Sequence, residues 1–308
     1  RLGDRVERRL ALAAGGSDQP PIEEGSGRME LARRLIDPAN PLTRRVAVNR
    51  IWHHLFGRGI VASVDDFGKM GSDPTHPKLL DHLAVRFSQD GWSFKKTIRR
   101  IVLSSTYRQS SRPRAIQARI AEADPTNALL HRMPIRRLQA EAIRDQILMV
   151  SGHLDRTVGG PSVPVYLTKH QGGRGRPKSG PLDGNGRRSL YLSVRRNFLS
   201  TMMLAYDFPI PFTTQGRRTR SNVPAQALAM LNDPFVVAEA NRWGQSVAKR
   251  PGSVREKIVA MFEEAFAVKP TDGQLSRIET FLDGRNDAAA WADVAHTLFN
   301  MKRFIYLN

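Results

Sequence analysis

Apolar residues recur at helical spacing along most of this chain, and the recurrences come with start and stop signals. Asn40 can accept from the first turn of a helix carrying Pro41 at its first position, where a missing N–H costs nothing. Val46, Val48, Ile51, Trp52, Leu55 and Phe56 form its stripe, and Gly57 ends it. Thr75, His76 and Pro77 open a second helix through Leu79, Leu80, Leu83, Val85 and Phe87 that stops at Gly91. Ser93 caps a third over 94–105, with Ile98, Ile101 and Val102 inward and Lys95, Lys96, Arg99 and Arg100 outward. Pro134 introduces a long helix to about Val150. Further helices are predicted over 224–231, from Asp233-Pro234 onward, and over 253–266, 271–282 and 287–300, with a capping box at Thr271 and Gln274. Residues 11–27 are small and Gly/Pro-rich, and 1–27 reads as an N-terminal linker. Folded sequence begins near Arg28, where Met29, Leu31, Ala32 and Leu35 share one helix face.

Residues 153–222 break the rhythm. Gly and Pro are dense from Gly159-Gly160-Pro161 and again from Gly172 to Gly186. The one alternating run, Ser189 to Val194, predicts a strand. Its register puts Tyr191 and Arg195 on one face with Ser189 and Ser193, and turns Leu190, Leu192 and Val194 inward with Arg188 and Arg196. The expected fold is mainly α: a multi-helix globular domain with a small β element and a long irregular Gly/Pro/Arg-rich insertion. The expected organisation is a linker over 1–27 and one domain over 28–308, helical over 28–152 and 223–308 with the basic insertion between.

Charge changes this picture more than length does. The chain of 308 residues has 48 Lys plus Arg against 29 Asp plus Glu, a net charge of +19, and no cysteine. Without cysteine there is no disulfide framework, thiolate metal site, CxxCH haem attachment or cysteine nucleophile in these residues. No apolar run is long enough to span a membrane. The excess is local: residues 95–220 carry 24 basic and 7 acidic side chains, whereas 221–308 carry 10 of each. It is also mostly arginine, whose planar fork of donors matches phosphate, sulfate and carboxylate. A surface for a polyanion is the functional reading. Pairing of these arginines with carboxylates and loop carbonyls is the structural alternative.

Three constellations could carry chemistry. Asp65, Asp66 and His76 lie in a Gly-containing loop between two helices and could serve acid–base work in a hydrolase of carbohydrate or its esters. Trp52, Trp92 or Tyr107 would line such a cleft. Against this, Asp66 before Phe67-Gly68 can simply close a turn and His76 can simply precede a helix. His53, His54 and His82 lack the spacing of a helical zinc pair, so no metal site is expected. On the helix expected over 135–150, Arg136, Arg137 and Arg144 share turns with Glu141 and Asp145, which suits an ion-pair network. The third set is Arg187, Arg188, Tyr191, Arg195, Arg196, Arg217 and Arg218, where arginine beside an aromatic suits an anionic ligand. The loop Gly-Gly-Arg-Gly-Arg-Pro-Lys at 172–178 is similar to a minor-groove DNA hook, a third functional class.

Longer motifs bring in a family. They are the run 40–61, Asp65-Asp66-Phe67-Gly68, Pro74-Thr75-His76-Pro77, Gly91-Trp92-Ser93, Thr106-Tyr107-Arg108-Gln109-Ser110, Glu141-Ala142-Ile143-Arg144-Asp145, Arg187-Arg188-Ser189-Leu190-Tyr191 and Val223-Pro224-Ala225-Gln226 through Asn232-Asp233-Pro234-Phe235. In order and spacing the chain resembles domain-of-unknown-function family 1553, the C-terminal part of large planctomycete proteins, over roughly 28–308. The resemblance implies an exported accessory domain, periplasmic or extracellular, beside an upstream domain and a cytochrome-c-like module. It implies no catalytic residues and no cofactor in this chain, haem belonging to the upstream module. The missing initiator Met agrees with a piece of a longer chain. Combined with the charge, the expectation is a binding domain whose arginine-rich centre faces an acidic or sulfated polysaccharide or an acidic protein.

Overall fold

The computed structural model describes residues 25–112, 117–212 and 214–307, with Gly3, Arg8, Arg9, Gln19, Pro21 and Ile22 besides. The expected linker over 1–27 therefore lies in large part outside the described residues. The chain divides between Ile135 and Arg136 into two compact units. The fold is mainly α, and among the described residues no helix is long and apolar enough to cross a membrane.

The first unit contains α1 (Arg28–Ile36), α2 (Pro41–Phe56), α3 (Pro77–Gln89), α4 (Phe94–Val102), α5 (Ser105–Arg108) and α6 (Gln117–Ala123). The cap signals act as expected: Asn40 accepts from the Leu42 amide at 3.0 Å, and Gly57 ends α2 with φ 86°. Only glycine adopts that left-handed conformation without steric cost. The stripe of α2 then buries Val48, Ile51, Trp52 and Phe56 against Leu80, Leu83 and Phe87 of α3 and Ile101 of α4. The expected apolar face of α1 is not buried; Met29 and Leu31 are exposed.

The second unit contains β1 (Arg136–Arg137), α7 (Ala140–Val150), α8 (Thr201–Ala205), α9 (Pro224–Asn232), α10 (Pro234–Ala248), α11 (Val254–Phe266), α12 (Asp272–Leu282), α13 (Ala288–Asn300), α14 (Lys302–Ile305) and β2 (Tyr306–Leu307). Its core is built on α10 against α13, where Trp243, Val247, Trp291, Ala295 and Phe299 are sealed from solvent. Trp243 and Phe299 stack at 5.4 Å. The capping box at Thr271 and Gln274 is present, and Ser253 with Glu256 makes another at the start of α11.

Two expectations are corrected. The helix drawn from Pro134 begins only at Ala140, because 136–138 is extended against the C-terminal segment. Arg136 pairs with Leu307, Arg137 with Tyr306, and the Leu138 amide donates to Ile305 O at 2.8 Å. The strand drawn over 189–194 is also absent. Ser189–Tyr191 is a 3-10 turn, and only Leu192 forms a bridge, to Val163. Its supposed inward residues Leu190 and Val194 are 60% and 56% exposed, whereas Ser189 is buried. Main-chain pairing decides this: the Ser189 amide is taken by a carboxylate on α7, so no neighbouring strand receives it. The small β element is instead the β1–β2 pair.

Candidate functional site

Segment 153–222 is irregular but not loose, because arginines from regular elements hold its backbone. Arg144 projects from α7, buried, and its guanidinium donates to Arg187 O at 2.9 Å, Ser189 Oγ at 3.1 Å and Asp183 O at 2.6 Å. The neighbouring Asp145 accepts from Ser189 N at 2.7 Å and from its hydroxyl at 2.6 Å. Arg137, placed by β1, donates to Ser221 O at 2.8 Å and to Asp207 at 2.6 Å. Glu141 on α7 receives a two-pronged pair from Arg218, at 2.6 and 2.8 Å. A turn-rich segment leaves many carbonyls without ladder partners, and guanidinium forks satisfy several at once.

Burial pushes the Asp207 carboxyl up, but hydrogen bonds from Ser221 and Arg137 hold it below the usual carboxylate range overall. A carboxyl depressed in the folded state contributes stability above its unfolded pKa of about 3.9, lost as pH falls through the folded value. The urea midpoint is therefore expected to drop between about pH 5 and 2, and the drop should be shallower in Asp207→Asn. An identical slope in the variant would refute this contribution.

The expected ligand-facing set separates into two groups. Arg187 and Tyr191 look inward: the guanidinium stacks 4.1 Å over the Tyr191 ring and donates to Thr157 O at 3.0 Å and to Asp155 at 3.3 Å. The Tyr191 hydroxyl accepts from the Gly159 amide at 2.7 Å. Arg218 is engaged with Glu141, and Arg188 lies 3.9 Å from Asp145 while exposed. Arg195, Arg196 and Arg217 are exposed, and among the described residues none of them has a carboxylate within ion-pair distance. Arg196 sits 5.6 Å over the exposed Phe212 ring. Gln171 donates to Leu199 O at 2.8 Å, tying the basic loop at 172–178 to the stretch that carries Arg195 and Arg196.

Asp65, Asp66 and His76 do not bring their carboxylate and imidazole atoms all within 4.8 Å of one another. Asp66 closes the turn, accepting from the Gly68 amide at 2.8 Å, and His76 bonds its neighbour Thr75 at 3.0 Å. Asp65 is exposed. A cleft of about 410 Å³ nearby is lined by Arg45, Phe67, Lys69, Asp73 and Asp81, and by none of those three. Trp52 is core, packed on Phe56 at 4.3 Å.

A group not foreseen from the sequence is His153, Asp183 and Glu239, the one set of three metal-capable side chains found close together among the described residues. Glu239 on α10 is 1% exposed and accepts from Ser151 Oγ at 2.6 Å. His153 Nδ1 lies 3.1 Å from its other oxygen, and His153 Nε2 lies 3.6 Å from Asp183 Oδ2. Separations of 30 and 56 residues hide this set from any spacing rule. The available signal was a charge in an apolar stripe: Glu239 falls in helical phase with Phe235, Val236 and Trp243, all buried.

Comparisons with curated proteins and with solved structures find no match. A family model does: PSD1, described as a protein of unknown function (DUF1553), matches residues 27–282. That range takes in the capped helices of the first unit, the arginine-held segment and Glu239. The chain belongs to the PSD1 (DUF1553) family.

Proposed function

We propose that this protein is a non-catalytic binding domain whose segment 153–222 holds an acidic or sulfated polysaccharide. The observation behind it is the charge inventory of that segment. It has twelve basic side chains and three acidic ones, Asp155, Asp183 and Asp207. All three acids are engaged within the unit, with Arg187, with the Asn185 amide and His153, and with Arg137 and Ser221. Among the described residues none of Lys169, Arg174, Arg176, Lys178, Arg195, Arg196 and Arg217 has a carboxylate within ion-pair distance, and all of them are exposed. Unneutralised cations on neighbouring loops raise the local positive potential and favour a multivalent anion over a small one. Export, and service beside an upstream haem-bearing module, belong to the same reading.

Binding to a sulfated polysaccharide is expected at low salt and should weaken steeply as salt rises, since each contact releases counterions. Joint replacement Arg195→Ala, Arg196→Ala, Arg217→Ala is expected to weaken it at least tenfold, about 1.4 kcal/mol, with the unfolding midpoint unchanged. Absence of binding at low salt, or binding indifferent to the triple change, rules the proposal out. Equal or tighter affinity for duplex DNA would transfer the site to the nucleic-acid class raised by the loop 172–178. The hydrolase reading draws less support, since Asp66 and His76 are each bonded locally, to the Gly68 amide and to Thr75.

A further inference from the structure

The group at the base of the segment sets one imidazole between two carboxylates, Glu239 and Asp183. A carboxylate only accepts, so the 3.1 Å contact between His153 and Glu239 puts the shared proton on Nδ1. Glu239 is itself fixed, by Ser151 Oγ at 2.6 Å and by Arg242 at 3.4 Å. With Nδ1 facing Glu239, Nε2 on the other side of the ring faces Asp183. Imidazoles that bind metals are oriented in this way, by a carboxylate on the far nitrogen.

The second contact is the telling one. His153 Nε2 and Asp183 Oδ2 are 3.6 Å apart, too far for an N–H···O bond, which closes to about 2.7–3.2 Å. Two ligands each about 2.0–2.2 Å from a tetrahedral zinc stand about 3.3–3.5 Å apart. The observed gap matches that spacing within about 0.2 Å, an ordinary tolerance for a metal site. Asp183 is available for the task. Its Oδ1 accepts from the Asn185 amide at 2.8 Å, and among the described residues no Lys or Arg lies within ion-pair distance of its carboxylate. Arg144 reaches only its backbone carbonyl. In a segment with twelve basic side chains, a carboxylate with no Lys or Arg partner among the described residues faces a ring nitrogen across a gap sized for one ion. Both residues are half-buried, which leaves further coordination positions open to water or to a ligand.

We propose that His153 Nε2 and Asp183 Oδ2 bind a divalent transition metal, with Glu239 as the positioning carboxylate behind the histidine. Imidazole with carboxylate favours zinc over magnesium or calcium, so zinc is the probe. The expected result in equilibrium dialysis of the whole chain is one zinc bound per chain, not displaced by excess magnesium, and a zinc-dependent rise in the unfolding temperature. Asp183→Asn keeps the oxygen that accepts from the Asn185 amide and is expected to weaken zinc binding at least tenfold. Glu239→Gln should cost about 10–100-fold through lost orientation of the histidine. Failure of the unaltered chain to take up stoichiometric zinc at 100 µM overturns the proposal whatever the variants do. So does zinc affinity that is unchanged in a folded Asp183→Asn protein.

Discussion

Replacing Arg144 with leucine is expected to destabilise the second unit by about 3–5 kcal/mol, the range for removing one partner from a buried charged network. The guanidinium is 4% exposed and donates to three acceptors on the far side of the chain's most irregular segment, two of them main-chain carbonyls. Leucine fills much of the volume but supplies no donor. The carbonyls of Asp183 and Arg187 would then be left unpaired at about 1–3 kcal/mol each, more than the apolar side chain returns. The contact over the Phe235 ring, 5.3 Å from the guanidinium, is lost as well. Lysine offers a point charge without the fork, so Arg144→Lys should recover part of the loss and not the whole. Two measurements check this: the denaturant midpoint, and trypsin cleavage at the exposed Arg195-Arg196 pair, which should accelerate as 183–189 detaches from α7. A midpoint within 0.5 kcal/mol of the unaltered chain would show that the segment does not depend on this arginine. Arg195→Ala is the companion change, expected to stay within about 0.5 kcal/mol because the side chain is exposed.

The contrast between those two arginines shows what the sequence made legible. Helices announced themselves through local rules: Asn40 and Gly57 bound α2, Thr271 and Gln274 start α12, and Asp287 starts α13 by accepting from Ala289 and Ala290. Each signal lies within a few residues of its effect. The fate of an arginine is decided at long range. Arg144 reaches acceptors 39 to 45 residues away and Arg218 a carboxylate 77 residues away. Composition located the cations but could not divide anchors from surface charges. A finer signal was present in the pattern. Arg144 on α7 is in phase with Ala140 and Leu148, both buried, just as Glu239 on α10 is in phase with Trp243. A charge kept on an apolar stripe must find partners. Alternation misled at 189–194 for the opposite reason: period two is a property of strands only where a neighbouring strand exists to pair, and here the Ser189 amide goes to a carboxylate and the run meets the chain only at Val163, as a single bridge.

Gly244→Ala is expected to lower the unfolding temperature by roughly 4–8 °C, although alanine is the better helix former. On propensity alone the change would stabilise by about 1 kcal/mol. Against that, a Cβ at this position would stand 2.3 Å from Ala292 N and 2.6 Å from its Cα, contacts with the α13 backbone that no side-chain rotation relieves. The whole of α10 would have to move away from α13, loosening Trp243, Val247, Trp291 and Phe299 together. Overpacking of this kind costs about 3 kcal/mol, a net loss of about 2 kcal/mol once the propensity gain is subtracted, which at roughly 2–4 °C per kcal/mol gives the stated fall for a unit of this size. Gly273→Ala supplies the opposite sign. It also lies inside a helix, α12, with nothing within 4 Å of the added carbon, so only the propensity gain operates there. If both substitutions stabilise, the close approach of α10 and α13 is refuted. Should Gly244→Ala fall as expected, a second consequence follows from the chain's order. Glu239 rides on α10 little more than one turn before Gly244, so a displaced α10 also draws its carboxylate away from His153 and Ser151. Zinc uptake by the folded variant should then weaken in parallel, tying the main helix packing of this unit to the group beneath its arginine-held segment.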